Sequence, residues 1–145
     1  MMYQYKYPRA SITVDSLVFM KENDALMLLL IKRKNDPFKD CWAFPGGFLD
    51  MDETLETAVG RELEEETCLK GIEFTQLKTY SSLDRDPRGR TISTAFIGFT
   101  TLDNCQVKGA DDAAEAKWFN TNNLPSLAFD HKEIIEDALK RIHSL

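Results

Sequence analysis

The sequence predicts an α/β fold with helices packed on a mixed sheet, and three observations carry that reading. Apolar and β-branched runs at 11–20, 25–34, 72–82 and 91–101 have strand character. From Thr54 to about Cys68, Leu55, Ala58, Val59 and Leu63 fall on one helical stripe. A second helix start stands near Asp130, so strands and helices intermingle along the chain, as in α/β folds.

Each element can be justified in turn. The first two runs flank the polar stretch 21-KEND-24 and read as a β-hairpin. The second run, 25-ALMLLLIKRK-34, is Leu-rich, and periodicity alone also allows a helix there. A loop at 35–41 leads to a short strand, 42-WAF-44, which ends at the turn Pro45-Gly46-Gly47. The helix from Thr54 follows. Residues 83-LDRDPRGR-90 form a charged loop between two strands, and 115-EAKWFNT-121 is a last short strand. For the final helix Asp130 is a candidate N-cap, with Glu133 three residues on and Phe129 and Ile134 spaced for a hydrophobic staple. No repeat or linker divides the 145 residues, so residues 1–145 are expected to form one domain.

Composition narrows the function classes. A net charge of −6 argues against a broad nucleic-acid or acidic-membrane surface, which needs clustered Lys and Arg. Cys41, Cys68 and Cys105 are far apart and form no zinc pattern. Free thiols and the absence of a signal peptide make a cytoplasmic protein the expectation. The longest apolar stretch, 25-ALMLLLI-31, is too short to cross a bilayer.

The stretch 61-RELEEE-66 sets four glutamates within five positions. Like charges at helical spacing repel. At 100° per residue, Glu62, Glu65 and Glu66 share about 100° of arc, while Glu64 points away to solvent and Leu63 into the core. Three carboxylates on a rigid element make an all-oxygen site suited to Mg²⁺ or Mn²⁺, and metal would relieve the repulsion. A solvated acidic face is the ordinary alternative, because Glu is a good helix former. The surroundings favour the site: a Gly-Gly turn precedes the helix, Glu53 stands at its entry, and Arg61 directly precedes the cluster.

From Gly47 to Leu69 these residues resemble the Nudix box, G-x5-E-x7-R-E-U-x-E-E-x-G-U, in which U is aliphatic. One fixed position departs: the late Gly is Cys68. Cys would resist the positive φ that Gly supplies there, and Gly71 is a candidate to take over the stop. The resemblance implies the Nudix α/β/α sandwich and hydrolysis of a nucleoside diphosphate linked to a further group. It implies that Glu62, Glu65 and Glu66 bind metal together with the Gly46 carbonyl. It further implies that Glu62 activates the water, that Arg61 orients the glutamates and that Glu53 supports the loop–helix geometry. In some members a glutamate from a later loop takes the proton; Glu115 is the first candidate here, ahead of Asp111 and Asp112, which also read as an exposed acidic loop.

The stretch 84-DRDPRGR-90, with 111–119 and 127–131, resembles the ADP-ribose pyrophosphatase subgroup. In that reading Arg85, Arg88 and Arg90 form a cationic loop at the rim, facing substrate phosphate or ribose; a solvated turn with local Asp–Arg pairs is the alternative. Phe129, Tyr80 and Trp118 are candidates for stacking a base, with core packing the more usual role. His131 reads as a surface or capping residue, His143 as exposed, and Trp42 and Phe44 as packing beneath the box.

The expected substrate is ADP-ribose, cleaved to AMP and ribose 5-phosphate. The alternatives are a nucleoside triphosphate pyrophosphatase and a non-catalytic ADP-ribose sensor. Regulators of the last kind carry a DNA-binding domain after the Nudix domain. The chain stops at Leu145 and has no basic helix, so no nucleic-acid partner is expected. A homodimer is common in the subgroup, and Tyr3, Tyr5 and Tyr7 are either an interface arm or a frayed tail.

Overall fold

The computed structural model describes residues 2–101, 107 and 113–144. Strands β1 (Ser11–Glu22) and β2 (Ala25–Arg33) form the expected hairpin. Its turn residues Asn23 and Asp24 both take positive φ, 50° and 69°. That is the conformation a tight turn between right-twisted strands demands. The Leu-rich run is therefore a strand, not a helix.

The hairpin partners hold together only from Phe19↔Leu28 to Glu22↔Ala25. Beyond that the two strands part. Strand β3 (Trp42–Ala43) pairs with β2, and β4 (Gly46–Phe48) pairs with β1 through Asp15↔Gly46 and Thr13↔Phe48. The segment read as a turn at Gly46-Gly47 is thus the start of a strand. Glycine permits it: a Cβ at Gly46 would lie 2.2 Å from the Val14 carbonyl oxygen.

Helix α1 (Leu55–Thr67) follows. Strand β5 (Phe74–Tyr80) pairs antiparallel with β6 (Thr91–Thr100), and β6 runs parallel to β1 from Ser11↔Thr91 to Met20↔Thr100. Strand β7 (Ala113–Asn120) covers the other edge of β2, and helix α2 (His131–His143) closes the chain. The sheet is mixed, in the order β3-β2-β1-β6-β5, with β4 and β7 as branches.

Both faces of the sheet are covered. Val14, Val18 and Leu29 pack with Ala58, Val59 and Leu63 of α1. Leu17, Phe19, Leu28 and Leu30 pack with Ile134, Ile135 and Ala138 of α2. This explains the apolar stretches 17-LVFM-20 of β1 and 26-LMLLLI-31 of β2: a strand segment buried on both faces has no polar side to show. The result is the α/β/α sandwich. No helix among the described residues is long and apolar enough to cross a membrane.

The helix ends modify two expectations. Thr54 caps α1 by accepting from the Thr57 N–H at 3.2 Å, and the helix stops at Cys68 itself, with φ 67° and ψ 0°. Cys68 adopts the left-handed conformation in place of the box glycine, and its N–H donates to the Glu64 carbonyl. Asp130, in contrast, makes no side-chain cap on α2, because its carboxylate is engaged by Arg85. Phe129 packs on the rings of Phe38 and His131 instead of joining the cluster that holds Ile134.

Candidate active site

Where β1 and β2 part, a cleft of about 540 Å³ opens, lined by β1, β2, β4, α1 and the loops at 85–88 and 129–131. One wall is acidic. Leu63, 1% exposed, anchors α1 to the sheet and thereby turns Glu62, Glu65 and Glu66 to the cleft. Glu64 is exposed on the other side, as the helical geometry requires.

The acidic wall is organised by Arg61. Its Nε and Nη2 donate to the two carboxylate oxygens of Glu53 at 2.9 and 2.6 Å. Its Nη1 donates to Glu62 at 2.9 Å and to Glu65 at 3.1 Å. A planar guanidinium can serve several carboxylates in fixed directions, which a lysine cannot. The Arg61 hydrogen bonds, with a further one from the Asp50 N–H, hold the Glu53 carboxyl down at about 2. Glu62 shifts the other way. Burial pushes its pKa up, and neighbouring Glu65 and Asp50 add to this, against the pull of Arg61. Glu66 is buried and accepts from the Gly46 N–H at 2.7 Å, tying the helix to β4.

The residues fit a hard divalent cation by two observations. The available donors are carboxylate and carbonyl oxygens, with no thiol or imidazole among Glu62, Glu65, Glu66 and Gly46. The Glu62 carboxylate also rests directly against Gly47: a Cβ there would meet its Cδ and Oε1 at 2.6 Å. Among the described residues, however, no three acidic, His or Cys side chains are gathered round a common point. Arg61 spans Glu62 and Glu65 instead.

The opposite wall is cationic. Arg85 and Arg88 line it, together with Arg33 and Lys32 of β2. Arg85 is 5% exposed at its side chain and forms a two-bond pair with Asp130, at 2.7 and 2.9 Å. Arg88 pairs with Asp86 at 2.8 and 3.1 Å, and its guanidinium stands 5.4 Å from the Phe129 ring centre and 5.8 Å from that of Phe48. Asp86 is 6% exposed. Although burial opposes its charge, the hydrogen bonds from Arg88 win and lower its pKa. One local Asp–Arg pair of the solvated-turn alternative, Asp86–Arg88, therefore exists, but it stands in the cleft wall, and Arg85 reaches instead to Asp130.

Arg61 and Glu53 stand behind the acidic wall, and two further expected site residues, Arg90 and Glu115, are not brought into the cleft. Arg90 donates to the Ser81 and Ser82 carbonyls at 2.7 and 3.3 Å and closes its own loop. Glu115 lies on β7, exposed, 4.0 Å from Lys32. Its neighbours Ala116 and Trp118 pack on the α1 layer. Strand alternation therefore turns Glu115 to the α2 side, away from the carboxylates of α1. Asp111 and Asp112 lie outside the described residues. Tyr80 and Trp118 are core residues, in the α2 and α1 layers respectively. Trp42 and Phe44 pack in the α2 layer, not beneath α1.

His131 is a buried residue, not a surface or capping one. It is 4% exposed, stacked on Phe44 with ring centres 4.3 Å apart, and accepts the Phe44 N–H on Nδ1 at 3.3 Å. That bond requires the proton of the neutral ring to sit on Nε2, which stands 3.9 Å from Asp15. Burial lowers its pKa, with Asp15 and Asp130 opposing. Asp15 itself, 8% exposed, accepts from the Ser93 hydroxyl at 2.6 Å. Asp15 and His131 both line the cleft. The signal for Asp15 was available, since it is an acidic residue in the apolar run of β1. Nothing in the sequence marked His131.

Comparison with known proteins shows the family of this chain. A family model described as the NUDIX domain matches residues 11–138. An ADP-ribose pyrophosphatase of Methanocaldococcus jannaschii is 48% identical over 134 residues, 92% of this chain and 76% of that protein. An ADPR responsive transcriptional repressor, NtrR, of Acinetobacter baylyi is 30% identical over 142 residues; the chain spans 56% of its length. Among solved structures, the NUDIX domain of Shewanella oneidensis NrtR complexed with ADP ribose matches with a TM-score of 0.87 at 33% identity. That match covers 97% of this chain and 94% of the other.

Proposed function

The chain belongs to the Nudix family as a pyrophosphohydrolase, and from that premise we propose that it hydrolyses ADP-ribose to AMP and ribose 5-phosphate with Mg²⁺ or Mn²⁺. The observation that carries this reading is the two-signed cleft. Carboxylates of α1 line one wall and arginines the other, with an aromatic ring, Phe129, at the cationic side. An anionic pyrophosphate with a planar base matches that arrangement, and the similarity to an ADP-ribose pyrophosphatase supports the choice of substrate.

Glu62, Glu65, Glu66 and the Gly46 carbonyl would hold the metal. The metal supplies charge neutralisation and a more acidic water. Water adds to one phosphorus of the pyrophosphate, the bridging P–O bond breaks, and the oxygen leaves with the other product. Glu62, which contacts Gly47 and is oriented by Arg61, would take the proton from that water. Arg61 holds Glu62 and Glu65 in register, and Glu53 anchors Arg61. Arg88 and Phe129 would orient the substrate from the other wall.

AMP release from ADP-ribose with Mg²⁺ or Mn²⁺, beside a panel of nucleoside triphosphates, tests the reading with wild type and Glu65→Gln. ADP-ribose should be the preferred substrate, and Glu65→Gln should lower turnover at least about 100-fold. Preference for a triphosphate would overturn the substrate assignment. Tight ADP-ribose binding without turnover would favour a sensor.

A further inference from the structure

Three arginines line the cleft, and carboxylate pairing accounts for two of them. Arg85 is matched by Asp130 and Arg88 by Asp86. Arg33 differs. It is half-buried, and no Asp or Glu carboxylate among the described residues comes within 4.0 Å of it. The acidic groups whose fields reach it are engaged elsewhere: Asp86 by Arg88, and Glu66 by the Gly46 N–H.

Its position is nevertheless firmly set. The Arg33 N–H donates to the Cys41 carbonyl at 2.9 Å, and the Asp40 N–H donates to the Arg33 carbonyl at 2.8 Å, so the loop 34–41 closes on this residue. The side chain is held as well. Nε donates to the Pro37 carbonyl at 2.8 Å, and the guanidinium carbon lies 5.0 Å from the centre of the Phe129 ring. Those contacts use one face and one nitrogen. The two terminal nitrogens have no hydrogen-bond partner among the described residues.

Burial disfavours this charge, and the nearby Arg88 disfavours it further, which lowers the pKa of Arg33. A fixed cation with two donors and no contacting carboxylate is arranged for an anion that arrives from outside. We propose that Arg33 is a substrate-binding residue, donating through both terminal nitrogens to a phosphate of the pyrophosphate. The assignment rests on the reading of the cleft as a pyrophosphohydrolase site. In the sequence Arg33 is one of three basic residues, 32-KRK-34, trailing a Leu-rich run, where it looks like a solvated strand end.

Inorganic pyrophosphate is the probe, titrated calorimetrically in Mg²⁺ buffer into wild type, Arg33→Gln and Arg33→Lys, beside ADP-ribose kinetics. Arg33→Gln should weaken pyrophosphate binding about tenfold to a hundredfold and raise KM for ADP-ribose in parallel, with kcat much less affected. Arg33→Lys should fall between, because it keeps the charge and loses the fork. A folded Arg33→Gln protein that binds pyrophosphate like wild type would overturn the assignment. If Arg33→Gln fails to fold, Arg33→Lys decides: a clear loss of pyrophosphate binding in the folded Arg33→Lys protein supports the assignment, and binding equal to wild type refutes it. If pyrophosphate binding depends on Arg33 while wild type does not cleave ADP-ribose, the anion site stands and the ADP-ribose reading falls.

Discussion

Gly47 has no side chain where the carboxylate of Glu62 lies, and a Cβ at that position would stand 2.6 Å from the Cδ of Glu62. The contact joins β4 to the residue proposed to take the proton. Gly47→Ala should therefore displace the Glu62 carboxylate by rotating a flexible side chain, which costs the fold little. Turnover is another matter, since misplacing a reacting group by about 1 Å costs roughly 100-fold. The expected result is a kcat about 100-fold lower with a urea midpoint close to wild type. Near-normal turnover would show that Glu62 does not work from this position.

Arg85 and Asp130 form the most buried ion pair at the cleft, with side chains 5% and 15% exposed. Removing one partner leaves the other charged and poorly solvated. Arg85→Ala should cost about 3 kcal/mol in a chemical denaturation experiment. Asp130→Asn in the same background should then cost little more, because the pair is already broken. Fully additive losses would show that the two residues are not energetically coupled.

Cys68 ends α1 at φ 67°, a conformation that disfavours any residue with a Cβ. Cys68→Gly should stabilise the protein by roughly 0.5–1 kcal/mol, the relief of the left-handed conformation outweighing the added freedom of the unfolded chain. No carboxylate of the cleft changes, so the kinetics should match wild type. An unchanged or lowered melting temperature would refute the strain argument.

His131 is buried, with its pKa lowered by burial and by the fields of Arg85 and Arg33, against the opposing fields of Asp15 and Asp130. In the unfolded chain a histidine takes up its proton near pH ~6.5. Below that value the unfolded state binds more protons than the folded one, so stability from this group is complete above about pH 6.5 and is lost as pH falls through the lower folded pKa. His131→Phe keeps a ring on Phe44 and removes the titration. Its stability should fall less steeply than wild type as pH drops below about 6.5. Parallel pH profiles would mean that His131 is not the titrating group.

The Glu62–Glu65–Glu66 face was legible because helical geometry is local: a 3.6-residue period places those side chains without reference to anything else. The charged loop 84-DRDPRGR-90 marks Arg85 and Arg88 as rim residues, and they line the cleft. The sequence did not distinguish them from Arg90, which spends its donors on the carbonyls of its own loop. Glu115 escapes a sequence reading for a related reason. Its residue type suits a base, but its register against Lys32 on β2 turns it to the wrong side of the sheet.

The sequence by itself determined the fold class and the chemistry of the acidic wall. Apolar runs specify strands mixed with helices, and the spacing from Thr54 to Glu66 specifies a helix with three carboxylates on one side of it. Only the tertiary structure decided what faces that wall. Arg33, Asp15 and His131 come from a strand end, a strand interior and a helix start that are far apart in the chain, and they meet because β1 and β2 part where β3 and β4 enter. Pairing register and the parting of strands depend on contacts between distant segments, and no local pattern of residues encodes them.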